Sequence, residues 1–268
     1  MPDPGSPLGI FDSGVGGLTV FRRVAERLPG ESIVYLGDTA RVPYGTKSAE
    51  TVVRYARACA RLLIERDIKI LVVACNTATA YALDVLRDEL GIPVLGVIEP
   101  GARRAVAATR NGRIGVVGTV GTIASGAYQS VLTSLAPDMH VACKPCPLFV
   151  PLAEEGWVSG PVPRQIAETY LAGLLSEGID TLLLGCTHYP LLREVIQEVA
   201  GPGVAIVDSA EATSEVVADI LDGMGMCDAA HGLKQYHCLV TDSPAAFARV
   251  GQHFLGRDVG TVEWVDFQ

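Results

Sequence analysis

The feature that most constrains this chain is a repeated piece of grammar. Leu71-Val72-Val73-Ala74-Cys75-Asn76-Thr77-Ala78-Thr79 is echoed by Leu182-Leu183-Leu184-Gly185-Cys186-Thr187-His188-Tyr189-Pro190. Each is a short apolar run, a small residue, a cysteine, then polar residues opening a helix. Apolar runs without alternation read as strands buried on both faces, the mark of a parallel sheet covered by helices. Each cysteine then falls at a strand's carboxyl end, where open α/β sheets hold ligands. It also stands beside a helix N-terminus, whose free N–H groups bind carboxylates and lower a thiol's pKa.

The echo extends beyond the cysteines. Leu8-Gly9-Ile10-Phe11-Asp12 reads as a strand feeding the tight loop Ser13-Gly14-Val15-Gly16-Gly17, as Ile114-Gly115-Val116-Val117 feeds Gly118-Thr119-Val120-Gly121-Thr122. The first loop lacks the G-x-G-x-x-G spacing of a dinucleotide site and reads instead as a generic oxyanion cradle. The loop at residues 37–45 is answered by residues 147–156, and Glu99 by Asp208. Positions 12, 45, 75 and 99 thus correspond to 118, 156, 186 and 208 at a nearly constant shift, which indicates two copies of one strand–helix unit. The expected fold class is α/β: two pseudo-twofold-related domains with mainly parallel sheets and the active site in the cleft between them. The first domain, residues 1–98 and 211–268, would carry Cys75, and the second, residues 99–210, Cys186. The tail supplies a helix from Ala212, a strand near 236–240, a helix over 244–255 and a strand near 262–265, and is assigned to the first domain.

Composition narrows the function. At 268 residues with 49% apolar and 19% charged side chains, the chain can bury the cores of two small domains and is not disordered. A net charge of −9, with 21 Lys and Arg scattered along the chain, excludes nucleic acid or an anionic membrane as the main partner. The expected partner is a small molecule. Residues 114–137 carry no charge over a length that could span a bilayer, but Gly115, Gly118, Gly121 and Gly126 among Thr and Ser read as strand, turn and helix. With no basic residue ahead of an apolar core at the N-terminus, a soluble cytoplasmic protein is expected. Seven cysteines, an odd number, argue against a disulfide framework and leave thiols free for chemistry.

Two thiols at one ligand site suit the breaking of a C–H bond beside a carboxylate. One thiolate removes the proton, and a thiol on the opposite face supplies another, so configuration inverts. Each sulfur needs a partner to hold or receive its proton. Asp12 is placed to serve Cys75, and His188, with Glu154 from the second loop, to serve Cys186. Ser13, Asn76, Thr77 and Thr187 offer short donors for a carboxylate. Taken singly, a cysteine after an apolar run is usually a small buried hydrophobe, and that reading is kept for Cys59, Cys227 and Cys238. Asp12 and Ser13 also suit a helix cap, and Glu154 with Glu155 a solvated pair. His140-x-x-Cys143-x-x-Cys146 has metal-like spacing but no second cluster, and Pro145 and Pro147 read as loop chemistry, so no metal is expected. A redox role for Cys143 and Cys146 is a competing reading, as is a binding protein that uses the same cleft.

The strings Gly9-Ile10-Phe11-Asp12-Ser13-Gly14-Val15-Gly16-Gly17-Leu18-Thr19-Val20, Gly37-Asp38-Thr39-Ala40-Arg41-Val42-Pro43-Tyr44-Gly45, Ala74-Cys75-Asn76-Thr77-Ala78-Thr79, Cys146-Pro147-Leu148-Phe149-Val150-Pro151 and Gly185-Cys186-Thr187-His188-Tyr189-Pro190 closely resemble those of glutamate racemases, in the cofactor-independent aspartate/glutamate racemase superfamily. The resemblance implies interconversion of L- and D-glutamate without cofactor or metal, D-glutamate supply to bacterial peptidoglycan synthesis, and a homodimer. By position it implies that Cys75 and Cys186 are the catalytic bases and that Asp12, Glu154 and His188 assist them. Asp12, Ser13, Tyr44, Gly45, Asn76, Thr77, Thr187 and His188 would contact substrate. The aspartate branch shares the two-cysteine plan, and one methylene separates the substrates, worth only about 1 to 3 kcal/mol in a pocket.

Overall fold

Every strand pairing among the described residues, 3–228 and 235–266 of the computed structural model, is parallel. In the first half β1 (Leu8–Asp12), α1 (Leu18–Arg27), β2 (Ile33–Gly37), α2 (Ala49–Ile64), β3 (Ile70–Val73), α3 (Asn76–Glu89), β4 (Val94–Gly96) and α4 (Ile98–Ala108) alternate. The second half runs β5 (Arg113–Gly118), α5 (Val120–Ala124), α6 (Ala127–Leu135), β6 (His140–Pro145), α7 (Phe149–Glu154), α8 (Pro161–Ser176), β7 (Thr181–Gly185), α9 (Arg193–Ala200), β8 (Ala205–Asp208) and α10 (Ser209–Gly223). The tail adds β9 (Tyr236–Val240), α11 (Pro244–Leu255) and β10 (Val262–Trp264).

The strands form two sheets, ordered β10-β9-β2-β1-β3-β4 and β6-β5-β7-β8. The second reproduces the order β2-β1-β3-β4 of the first, so the repeat legible in the sequence is a repeat of topology. The tail strands extend the first sheet beyond β2. The expected first domain includes residues 1, 2, 229–234, 267 and 268, which lie outside the described residues.

The apolar runs fold as buried strands because both faces of each sheet are covered. Ile70 and Val72 face one core with Leu8 and Ile10, while Leu71 and Val73 face the other with Phe11. Leu182 and Leu184 likewise separate from Leu183 across β7. Helix α2 turns Val52, Ala56, Cys59, Ala60 and Leu63 inward at helical spacing, starting from a Ser48 cap whose hydroxyl accepts from the Thr51 amide at 3.3 Å. Val52 and Leu63 each contribute roughly 1.5–3 kcal/mol on burial.

At the amino end of the first sheet, Lys69 is buried and donates to Glu31 at 2.6 Å and to the carbonyls of Pro4 and Met226 at 2.5 and 2.9 Å. Glu31 also accepts from the Asp228 amide at 2.8 Å. This ion pair pins the N-terminal segment and the chain leaving α10 to the base of the sheet. Between the halves, α4 packs on α10, α6, β7 and β8, and α10 on α1.

Two local expectations are corrected. Residues 147–156, expected as a loop, contain α7, with Pro151 tolerated because it falls in the first helical turn, where its missing N–H costs nothing. Residues 140–145, where Pro145 suggested a loop, form β6, an edge strand in which a proline needs no ladder partner. On a strand, His140 and Cys143 point to opposite faces, so the metal-like spacing does not converge.

Candidate active site

Segments from both halves of the chain meet at the carboxyl ends of the two sheets. The first is the loop after β1. Asp12 ends that strand without solvent exposure and accepts from the Gly14 amide at 2.9 Å. The loop folds back tightly: Tyr35 donates its hydroxyl to the Gly14 carbonyl at 2.8 Å. Burial raises the Asp12 pKa, against the opposing pull of His188 and the amides of Gly14, Gly17 and Ser13.

Cys75 follows β3 and caps α3, its sulfur accepting from the Ala78 amide at 3.5 Å. The helix terminus does not make it acidic, contrary to the expectation from sequence. Burial and the Asp12 carboxylate push the thiol up to about 12, with the Ala78 amide and the Ser13 side chain pulling the other way. Cys75 is therefore a protonated thiol at neutral pH, adjacent to a carboxyl group inclined to hold a proton.

On the other side Cys186 follows β7. Its sulfur lies 3.8 Å from His188 Nδ1, and His188 Nε2 lies 3.0 Å from Glu154 Oε1, at the end of α7. Burial opposes a charge on His188, but Cys186 and Glu154 on its two nitrogens prevail and hold it up at about 10. It is an imidazolium at neutral pH and donates from both nitrogens. Its ring is boxed in: a Cβ on Gly16 would lie 2.5 Å from His188 Cε1, so only glycine lets the first loop pass this close.

Both sulfurs line one small cavity of about 30 Å³. Ser13, Tyr44, Gly45, Asn76, Thr77, Thr187 and His188 line it with them, while Asp12 and Glu154 stand behind the lining. Tyr44 is buried and commits its hydroxyl to Asp38, which also accepts from Arg41 and Thr241. It thus lines the cavity without presenting its hydroxyl there. Asn76 Oδ1 accepts from Tyr128 at 2.6 Å, and its buried Nδ2 has no partner among the described residues, which leaves a donor for a ligand. Thr77 meets Thr119 and Thr122, hydroxyl to hydroxyl, at 2.9 and 3.0 Å. Among the described residues no lysine or arginine lines the cavity. Negative charge within it is met by neutral donors, the α3 terminus and the His188 cation.

Sequence reasoning did not single out Val42, Pro43, Thr119 and Val150, which also line the cavity. Thr119 had a signal, because it occupies in the second copy the place of Ser13 in the first.

The sequence pattern described as Asp/Glu/Hydantoin racemase matches residues 12–217. The chain belongs to that family. It is similar to the glutamate racemase of Geobacter metallireducens, 55% identical over 265 residues, 99% of this chain and 98% of the relative. Within the family, the solved structure of glutamate racemase from Francisella tularensis in complex with D-glutamate superposes with a TM-score of 0.93 at 36% identity, covering 99% of each chain. A glutamate racemase isoform from Bacillus anthracis superposes at 0.91 with 41% identity and 97% of each chain covered. The two-sheet architecture is that of these family members. No helix among the described residues is long and apolar enough to cross a membrane.

Proposed function

We propose that this chain is a glutamate racemase, in which Cys75 and Cys186 act on opposite faces of the substrate α-carbon. One observation carries the reading: two sulfurs, each with its own proton partner, open into a single cavity. In one direction a thiolate removes the α-hydrogen as a proton, and the electron pair passes to the α-carboxylate. The opposite thiol then gives its proton to the carbanion from the other face and becomes the thiolate. Inversion and an exchange of protonation state between the sulfurs are the net result, so the enzyme emerges poised for the reverse reaction.

The two sides handle protons differently. Cys75 with Asp12 suits a resting thiol, while the His188 imidazolium, fixed by Glu154, neutralises negative charge on Cys186 or replaces its proton. Asn76 Nδ2, Thr77, Ser13, Thr187 and the α3 amides hold carboxylates, and the cavity wall at Tyr44 and Gly45 bounds the substrate. Every group in this scheme is a side chain or amide of the chain itself. Glutamate, rather than aspartate, is the substrate of the similar proteins named above. D-glutamate supply to peptidoglycan, a cytoplasmic location, a homodimer, and a division into residues 1–98 with 211–268 and residues 99–210 complete the proposal.

Cys75→Ala and Cys186→Ala should each lower racemisation of L- and D-glutamate, followed by circular dichroism, by about 10²- to 10⁴-fold. Undiminished activity in Cys75→Ala would remove the mechanism.

A further inference from the structure

We infer that Phe254, far along the chain in α11, is a positioning residue for His188. The inference rests on the racemase reading and deepens it.

Helix α11 lays Phe247, Gly251 and Phe254, spaced i, i+4 and i+7, along one face. Phe247 packs on the Tyr35 ring at 5.9 Å between centroids. Gly251 lets the helix come close: a Cβ there would lie 2.9 Å from both Leu18 and Val259. That approach brings the fully buried Phe254 ring to 5.2 Å from the His188 imidazole, at an interplanar angle of 80°.

The other restraints on His188 lie at its edges. Nε2 is fixed by Glu154 at 3.0 Å, whereas Nδ1 meets the Cys186 sulfur at 3.8 Å and the Thr187 hydroxyl at 3.5 Å, each near the outer limit for a hydrogen bond. A ring held firmly at one nitrogen and loosely at the other still tilts about the firm contact. The edge-to-face contact with Phe254 sets the plane of the imidazole and so aims Nδ1–H at the sulfur. The ring also shields an ion pair whose Glu154 side chain is 36% exposed. Without it the long Nδ1 contact to Cys186 fails first, and the step that passes through Cys186 slows while the step through Cys75 does not.

The test uses the whole enzyme. Because enantiomers are equal in free energy, any variant changes kcat/KM by the same factor in both directions, so rates alone cannot tell the two sulfurs apart. Isotope effects can. Phe254→Leu and Phe254→Met fill most of the ring's volume but offer no aromatic edge. Both should lower kcat/KM by about 10- to 100-fold with KM little changed. With α-deuterated substrates, the effect should rise for the enantiomer whose α-hydrogen faces Cys186. For its mirror image it should fall while the solvent deuterium effect rises. Phe254→Tyr should restore the wild-type pattern. Phe247→Leu, on the same helix face, should lower the melting temperature and leave the isotope pattern alone. Equal changes for both enantiomers, or none, would overturn the role of Phe254 while leaving the racemase reading intact. A wild-type enzyme that racemises neither enantiomer would end both.

Discussion

The tightest steric restraint at the site is the passage of the first loop beside His188, and Gly16→Ala probes it. The added methyl would lie 2.5 Å from His188 Cε1, where ordinary contact begins near 3.4 Å, and it would also meet Thr187 Oγ1. Neither the imidazole nor the loop has room to absorb this elsewhere, since His188 is held by Glu154 and backed by Phe254. The ring or the loop must retreat by about 1 Å, and misplacement on that scale costs on the order of 10²-fold in rate. That corresponds to about 2.7 kcal/mol of transition-state stabilisation. Overpacking should also lower folding stability by about 1–3 kcal/mol. Circular dichroism of the reaction with each enantiomer reads the first effect and urea denaturation the second. The loss in kcat/KM should be identical for L- and D-glutamate. Activity within about threefold of wild type would show that this contact does not fix the imidazole.

Three further outcomes are expected. Gly173→Ala, inside α8 with open space around its Cβ position, should raise stability by about 0.4–1 kcal/mol without touching activity, as urea denaturation and a racemisation assay will show. Lys69→Met leaves Glu31 buried without its partner and should cost about 3–5 kcal/mol, with Lys69→Met/Glu31→Leu recovering much of the loss and KM unchanged in both. His188, held at about 10 against an ordinary 6.5, binds its proton more tightly folded than unfolded. Its stabilisation is therefore fully present below about pH 6.5 and lost as pH rises through about 10. Denaturation midpoints between pH 7 and 10 should fall more steeply in wild type than in His188→Gln.

Much of this architecture was legible because the repeat imposes strong local patterns. The uninterrupted runs at β3 and β7 can only be strands covered on both sides, and the corresponding positions anticipated two sheets of matching order. Pro145 misled, because it sits on an edge strand where a missing N–H costs little, and the match of residues 147–156 to the loop at 37–45 hid α7, in which Pro151 is accommodated in the first turn. The local rule for a thiol at a helix terminus also failed at Cys75, where burial and Asp12 outweigh one amide. Thr119 was readable from its match to Ser13. Phe254 was not, because its contact with His188 depends on α11 crossing the back of the first loop.

Whether two sulfurs address one stereocentre from opposite faces is read out by running the reaction in deuterated water and analysing each enantiomer by mass spectrometry at low conversion. With two bases, newly formed product carries deuterium at the α-carbon while recovered substrate remains protiated, in both directions. Product that retains its original α-hydrogen would mean that a single base returns the proton it took, and would rule out the pair of sulfurs as opposed bases.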